Sequence, residues 1–319
     1  MMKRDIGIDI IKFFAALLIT NSHFESIYPP ELSVLTTGGA IGDALFFFCS
    51  GFTLFLKPMG RFDSWYKKRI NRIYPTVFAC AIISAFVFSV SNDMYYTIIH
   101  GGGWFVSCIM IYYVIAYLID RFMSKRLGVA FVSAMVIVII SYVLWDKPSN
   151  FSMYGYTYLK WVFFFLVMLF GAIVGKNGVV ISGKKSLLFL IVCVLVYYAI
   201  IITSLRNELL NDIQLLSLIP LLGITLSMYT LCNCNTAQKL FNNRYINWTV
   251  MFVGGLCLEI YLIQTPLLKL DLGMPFPVNY IAMFVLIIVS AYILRCCARI
   301  FSQTFNKQDY NWKEVLKAF

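Results

Sequence analysis

Charge is scarce in this sequence. Asp, Glu, Lys and Arg make up 13% of its 319 residues, against about 25% in a soluble globular domain. That shortage, with 61% of residues hydrophobic, excludes a soluble chain and calls for a membrane-embedded bundle. Long polar loops are also missing, which leaves no room for a separate soluble domain. No small-residue cleavage site follows the basic start Met1–Arg4, so the first apolar run reads as a span and not as a signal peptide. Paired metal-binding motifs are lacking. Cys232-Asn-Cys234 has neither a histidine nor a second cysteine pair beside it, which argues against zinc, and no metal is expected. The nine cysteines read as reduced packing residues. No inverted repeat of the transporter kind is visible. The formal charge of +11 reads as cytoplasmic retention and attraction to membrane lipids or an anionic cofactor, not as nucleic-acid binding.

What is present is apolar and segmented. Windows of about twenty residues give ten spans, at 6–24, 39–56, 75–91, 103–120, 128–145, 158–175, 186–204, 213–231, 248–267 and 278–299. The fold class is therefore all-α: a polytopic transmembrane helical bundle of about ten helices. It covers residues 1–301, and 302–319 form a short polar cytoplasmic tail. If the N-terminus lies inside, the inner segments hold 21 Lys and Arg and the outer loops 3. Both termini are then expected in the cytoplasm.

The first span keeps three ionisable residues that a plain anchor would not: Asp9, Lys12 and His23. Lys12 and His23 differ by only about 20° around an ideal helix and lie about 16 Å apart along it. Asp9 stands one salt-bridging step from Lys12. Such groups normally face a protein interior or a water-filled path and mark function. Near His23 in depth, Asp43 lies a turn into the second span, where a carboxylate can fix an imidazole tautomer. In the same span Ser50-Gly51 suits close helix packing. Farther on, Arg69-Ile-Asn-Arg72-Ile-Tyr74-Pro75 places two guanidiniums three apart on an inner loop, directly before a proline that can open span three. Arg binds phosphate bidentately, although positive-inside charge alone would also explain the loop. At the outer rim Trp104 fits a stacking platform for a sugar or an interfacial anchor. Glu259, inside the ninth span, is a functional candidate or half of a structural ion pair, for example with Lys12 or Lys160. Lys160 itself, at the outer edge of span six, reads as a snorkelling lysine.

These motifs resemble the acyltransferase type 3 family. The resemblance rests on Arg4-x4-Asp9-x2-Lys12-x10-His23, on Gly38-Gly39…Asp43…Phe46-Phe47-Phe48-Cys49-Ser50-Gly51-Phe52, and on Arg69-x-x-Arg72-Ile-Tyr74-Pro75, in that order. Looser matches follow at Trp104-Phe105, Tyr112-Tyr113 and Glu259-x-Tyr261-Leu262. Gln264-Thr265-Pro266 departs from the pattern, where many members carry His before the proline. The family consists of ten-helix membrane proteins that O-acylate cell-surface glycans, and this chain resembles its stand-alone form. The resemblance implies transfer of an acyl group, acetyl by default, from cytoplasmic acyl-CoA (acetyl-CoA) to a hydroxyl of a glycan or lipid-linked saccharide. A bacterial plasma membrane is implied as the location.

In that reading Arg69, Arg72, Lys68 and Tyr74 hold the CoA phosphates. His23 acts as general base, or as an acyl carrier, with Asp9, Lys12, Asp43 and Glu259 around it. Trp104 and Ser50 contact the acceptor. The rival is a proton-coupled transporter or flippase using Asp9, Lys12, His23 and Glu259 as a relay, which has no need for an inner phosphate site. A subunit without activity is disfavoured because Lys12, His23, Asp43 and both arginines are present. The sequence carries no signal of oligomeric state.

Overall fold

The computed structural model describes all residues except 1–4, 90–94, 146, 148–150, 156–157, 180, 242, 306–308 and 319. Arg4 of the first motif lies outside the described residues, as do the inner charges Lys3 and Lys307. Every regular element among the described residues is helical. The α-helices are α1 (Ile6–Ser22), α2 (Gly39–Leu54), α3 (Phe62–Val87), α4 (Trp104–Met123), α5 (Leu127–Leu144), α6 (Leu159–Asn177), α7 (Gly183–Arg206), α8 (Leu218–Cys232), α9 (Asn235–Phe241), α10 (Arg244–Gly255), α11 (Cys257–Leu267), α12 (Val278–Thr304) and α13 (Trp312–Val315). Among the described residues, eight stretches are long and apolar enough to cross a membrane, or nine if α10 and α11 count as one bent span. The helix α1, with 17 residues, would complete the ten that the sequence suggests.

The chain divides into two compact units. The first comprises Met1–Ala15, Ala40–Pro58 and Leu118–Trp248. Its consecutive helices pair, α5 packing on α6 and α7 on α8. Phe47, Phe48, Phe163, Phe164, Leu166 and Met168 are fully buried in its core. Phe47 stacks on Phe164 at 5.4 Å between ring centroids. Two glycines let α2 and α6 touch backbone to backbone. A Cβ on Gly51 would overlap the Met168 carbonyl oxygen, and one on Gly171 the Phe48 carbonyl oxygen. Small residues serve this purpose between membrane helices, where no water-driven force pulls apolar side chains together. Between α7 and α8 the hydroxyls of Ser186 and Thr230 hydrogen-bond at 2.8 Å out of contact with solvent. The outward residues of α5 and α7, among them Val132, Ile140, Leu188 and Leu195, are apolar and exposed, as lipid-facing positions require.

The second unit comprises Ala16–Gly39, Met59–Tyr117 and Thr249–Phe319. Here α3, α11 and α12 pack together, with Phe24 buried against Tyr280 and Phe284 of α12. The end of the chain returns along α12. Arg299 donates to the carbonyls of Val315 and Lys317, Tyr292 donates to that of Leu316, and Val315 is buried. Within the segment read as a polar tail, Trp312–Val315 form the short helix α13.

Three boundaries differ from the sequence reading. Helix α1 ends at Ser22 and not near Phe24, because the His23 and Phe24 amides bond three residues back, to Thr20 and Asn21, at 3.1 Å. Such tightening is common where a helix runs out of partners. The third span begins at Phe62, and Pro75 sits inside it. Proline removes one backbone donor, but Asn71, the residue whose carbonyl loses its partner, is exposed. The ninth span is broken. Helices α10 and α11 meet at 67° across Leu256, whose amide is shared between the Phe252 and Val253 carbonyls.

Candidate functional site

The arginine pair lies on α3 in the second unit, on a helix and not on a loop. Trp65 precedes Arg69 by four residues, one helical turn, so the two side chains share a face. The Arg69 guanidinium lies over the Trp65 ring, 5.1 Å from its centroid, and over Tyr113 of α4 at 5.5 Å. Trp65 and Tyr113 themselves meet edge to face at 5.9 Å, and Tyr117 closes the group at 5.7 Å from Trp65. Aromatic faces attract a guanidinium through their quadrupole without using up its N–H groups. The Arg69 Nε is buried and has no acceptor among the described residues. Arg72, three residues on, is exposed and acts electrostatically with Arg69 on Tyr113. The arrangement is a cationic patch with aromatic walls and unspent donors.

The other predicted donor-side residues are placed differently. Lys68 is exposed. The Tyr74 hydroxyl is engaged, donating to the Ile98 carbonyl at 2.9 Å, and so it ties α3 to the segment ahead of α4.

His23 belongs to the same unit. It is exposed just past the end of α1, on a segment fixed by Asn21. The Asn21 amide donates to the carbonyls of Leu35 and Thr37 at 2.8 and 3.1 Å. Its carbonyl oxygen accepts from the hydroxyls of Tyr28 and Tyr280 at 3.0 and 3.1 Å. One side chain thus pins the turn that carries His23, the loop after it and α12.

Glu259 opens α11, and its partner is Arg295 of α12, not Lys12 or Lys160. The pair is bidentate, with Nη2–Oε2 at 2.9 Å and Nε–Oε1 at 3.1 Å. The side chains are only 9% and 12% exposed. Arg295 also donates to the Gly255 carbonyl, one of the acceptors left over at the end of α10. Two loosely matched motifs meet nearby. The Phe105 amide approaches the Tyr261 hydroxyl at 3.4 Å, and Gly103 lies so close to that hydroxyl that a Cβ would overlap it. Trp104 stands beside them, edge to face with Phe105. A small cavity between α3 and α11 is lined by Cys80, Ser84, Thr97, Thr265 and Lys269.

The remaining candidates fall in the first unit. Asp9 is buried on α1 and Lys12 half-buried a turn farther on. Ser50, beside the glycine contact, is half-buried. Asp43 is half-buried on α2, and the Lys160 ammonium acts on it electrostatically. Lys160 does not snorkel: it is 6% exposed. The set read from the sequence is therefore divided, with His23, Lys68, Arg69, Arg72, Tyr74, Trp104 and Glu259 in the second unit and Asp9, Lys12, Asp43 and Ser50 in the first.

Sequence reasoning missed Trp65, Asn21 and Arg295. The four-residue step from Trp65 to Arg69 was a usable signal. Arg295, a cation within the apolar run 278–299, is another.

A family model described as an acyltransferase domain matches residues 5–296, nearly the whole chain. Comparison with curated proteins and with solved structures gives no match.

Proposed function

Since the chain belongs to the acyltransferase domain family, we propose that it moves an acyl group, acetyl by default, from acyl-CoA to a hydroxyl of a surface or lipid-linked glycan. The observation that carries this reading is the Arg69 site. A guanidinium set against the Trp65 and Tyr113 rings, with a buried donor unspent, is prepared for a polyanion and not for a carboxylate of its own chain. Arg72 and Lys68 add charge for the remaining CoA phosphates. Acyl-CoA is thus the donor substrate, arriving from the cytoplasm of a bacterial cell if the 21 inner cations mark that side.

His23 is the base. Its neighbour Asn21 holds the turn that presents it, and an imidazole titrates near working pH. In the transfer, His23 takes the proton of the acceptor hydroxyl as its oxygen attacks the thioester carbonyl carbon. A C–O bond forms, the C–S bond breaks, and the thiolate takes the proton to leave as free CoA. Trp104, at the rim beside Tyr261, offers an aromatic face to the sugar. Glu259 acts through Arg295, holding α11 in place.

The test is turnover of acetyl-labelled CoA by membranes containing the wild-type protein, His23→Ala or Arg69→Ala. Loss of glycan acylation in both variants supports the reading. Wild-type acylation by both sinks it.

A further inference from the structure

Helices α2 and α6 of the first unit keep a constant register. Gly51 abuts Met168. Four residues earlier on each helix, Phe47 stacks on Phe164 with planes 25° apart. Because both helices step in the same direction, they run parallel. One turn further toward both N-termini the same register brings Asp43 of α2 opposite Lys160 of α6.

The surroundings fit a charge pair. Lys160 opens α6, where a lysine of a lipid-facing helix would run its ammonium outward to water. It is instead buried, at 6% exposure. Tyr197 of α7, also buried, feels the Asp43 carboxylate electrostatically. Tyr154 packs beside them, with its ring 6.0 Å from Tyr197 and 6.0 Å from Phe164 and its hydroxyl bonded to Ser217 at 2.8 Å. An ammonium and a carboxylate withdrawn from water persist when each offsets the other's lost hydration.

We propose that Lys160 is the intramembrane counter-ion of Asp43 and acts through it as a positioning residue for acyl transfer. The role in transfer rests on the proposed function together with the place of Asp43 in the family motif; the pair itself rests on neither. Asp43 anchored in this way keeps one place on α2, about two turns from the glycine contact that sets the helix spacing.

The experiment compares wild type, Lys160→Met, Lys160→Arg, Asp43→Asn and the Asp43→Asn/Lys160→Met double variant, each purified as the full chain. With acetyl-CoA as donor, Lys160→Met should lower kcat about tenfold or more and leave KM for acetyl-CoA unchanged. Lys160→Arg should recover most of that loss, and the double variant should be no slower than either single one. If Lys160→Met does not fold, Lys160→Arg and the double variant still decide. A wild-type rate in Lys160→Met overturns the proposal, as does a double variant whose loss is the product of the single losses. If the wild type itself transfers nothing, the proposed function fails, and the pair is read from thermal unfolding of the same proteins. There the double variant should melt above at least one single variant, and additive drops in Tm refute the pair.

Discussion

Arg69 is held by π faces, and that makes its chemistry specific. A lysine there keeps the charge but lacks the planar fork that presents two parallel donors to a phosphate. We expect Arg69→Lys to raise KM for acyl-CoA about tenfold, equivalent to about 1.4 kcal/mol, and Arg69→Ala to raise it further. Initial rates over a range of acyl-CoA check this; an unchanged KM in Arg69→Lys would reduce the site to general positive charge. The two arginines were legible from their three-residue spacing. Their aromatic walls were not, because Tyr113 reaches Arg69 from another helix, and periodicity carries no information on which helices meet. Asp5, just ahead of α1, gives a second residue-scale expectation. Burial raises its pKa above the ordinary 3.8, outweighing the Ile8 and Gly7 amides that pull it down. A raised folded-state value means that ionisation opposes folding at neutral pH, and that this penalty fades as pH falls through the folded pKa toward 3.8. Asp5→Asn, which keeps an acceptor for the Ile8 amide, should therefore melt at or above the wild type near neutral pH. The gap should close on acidification, as thermal unfolding at stepped pH would record.

The bent pair α10–α11 shows how an element can be misread from its hydrophobicity. Hydrophobicity over 248–267 gives one continuous span, and windowed averages do not sense a change of direction. The Gly254-Gly255 step, directly before Leu256, was the available signal, since sharp bends gather at such residues. Once the helix breaks there, the Gly255 carbonyl needs a donor and Glu259 finds itself at the start of a new helix. Arg295 answers both needs from α12. The pair is bidentate and nearly out of solvent, so removing one partner strands the other. Glu259→Gln should cost about 3–5 kcal/mol, read as a lower Tm or lower chemical stability in detergent. The Glu259→Gln/Arg295→Met double variant should lose less than Glu259→Gln alone, because no uncompensated charge is left behind. A double variant that loses the sum would show that the two side chains act independently.

At the scale of the whole molecule, the apolar runs and the loop charges were the legible part. The helical class and most span positions follow from them, since a segment in lipid must satisfy its backbone internally and a helix does so alone. The division of α1, α4 and α10 between two units was not legible, nor was the return of 312–318 along α12. Both depend on tertiary contacts between residues far apart in sequence. Orientation is the property of the whole chain that the charge count addresses. Inner and outer segments differ by 21 cations to 3, and excess Lys and Arg near span ends stay on the cytoplasmic side. If α10 and α11 together make one crossing and α1 another, ten crossings return the chain to the side from which it starts. A fluorescent reporter that folds only in the cytoplasm, fused after Phe319, should then be bright. A phosphatase that folds only outside should be active when fused after Pro30 or after Asp271 and silent when fused after Asp63 or Lys125. A silent phosphatase after Asp271 with an active one after Pro30 would remove the bent pair, or one span before it, from the count of crossings. The reverse pattern at every site would invert the chain and place Arg69 and Arg72 on the outer side, away from cytoplasmic acyl-CoA.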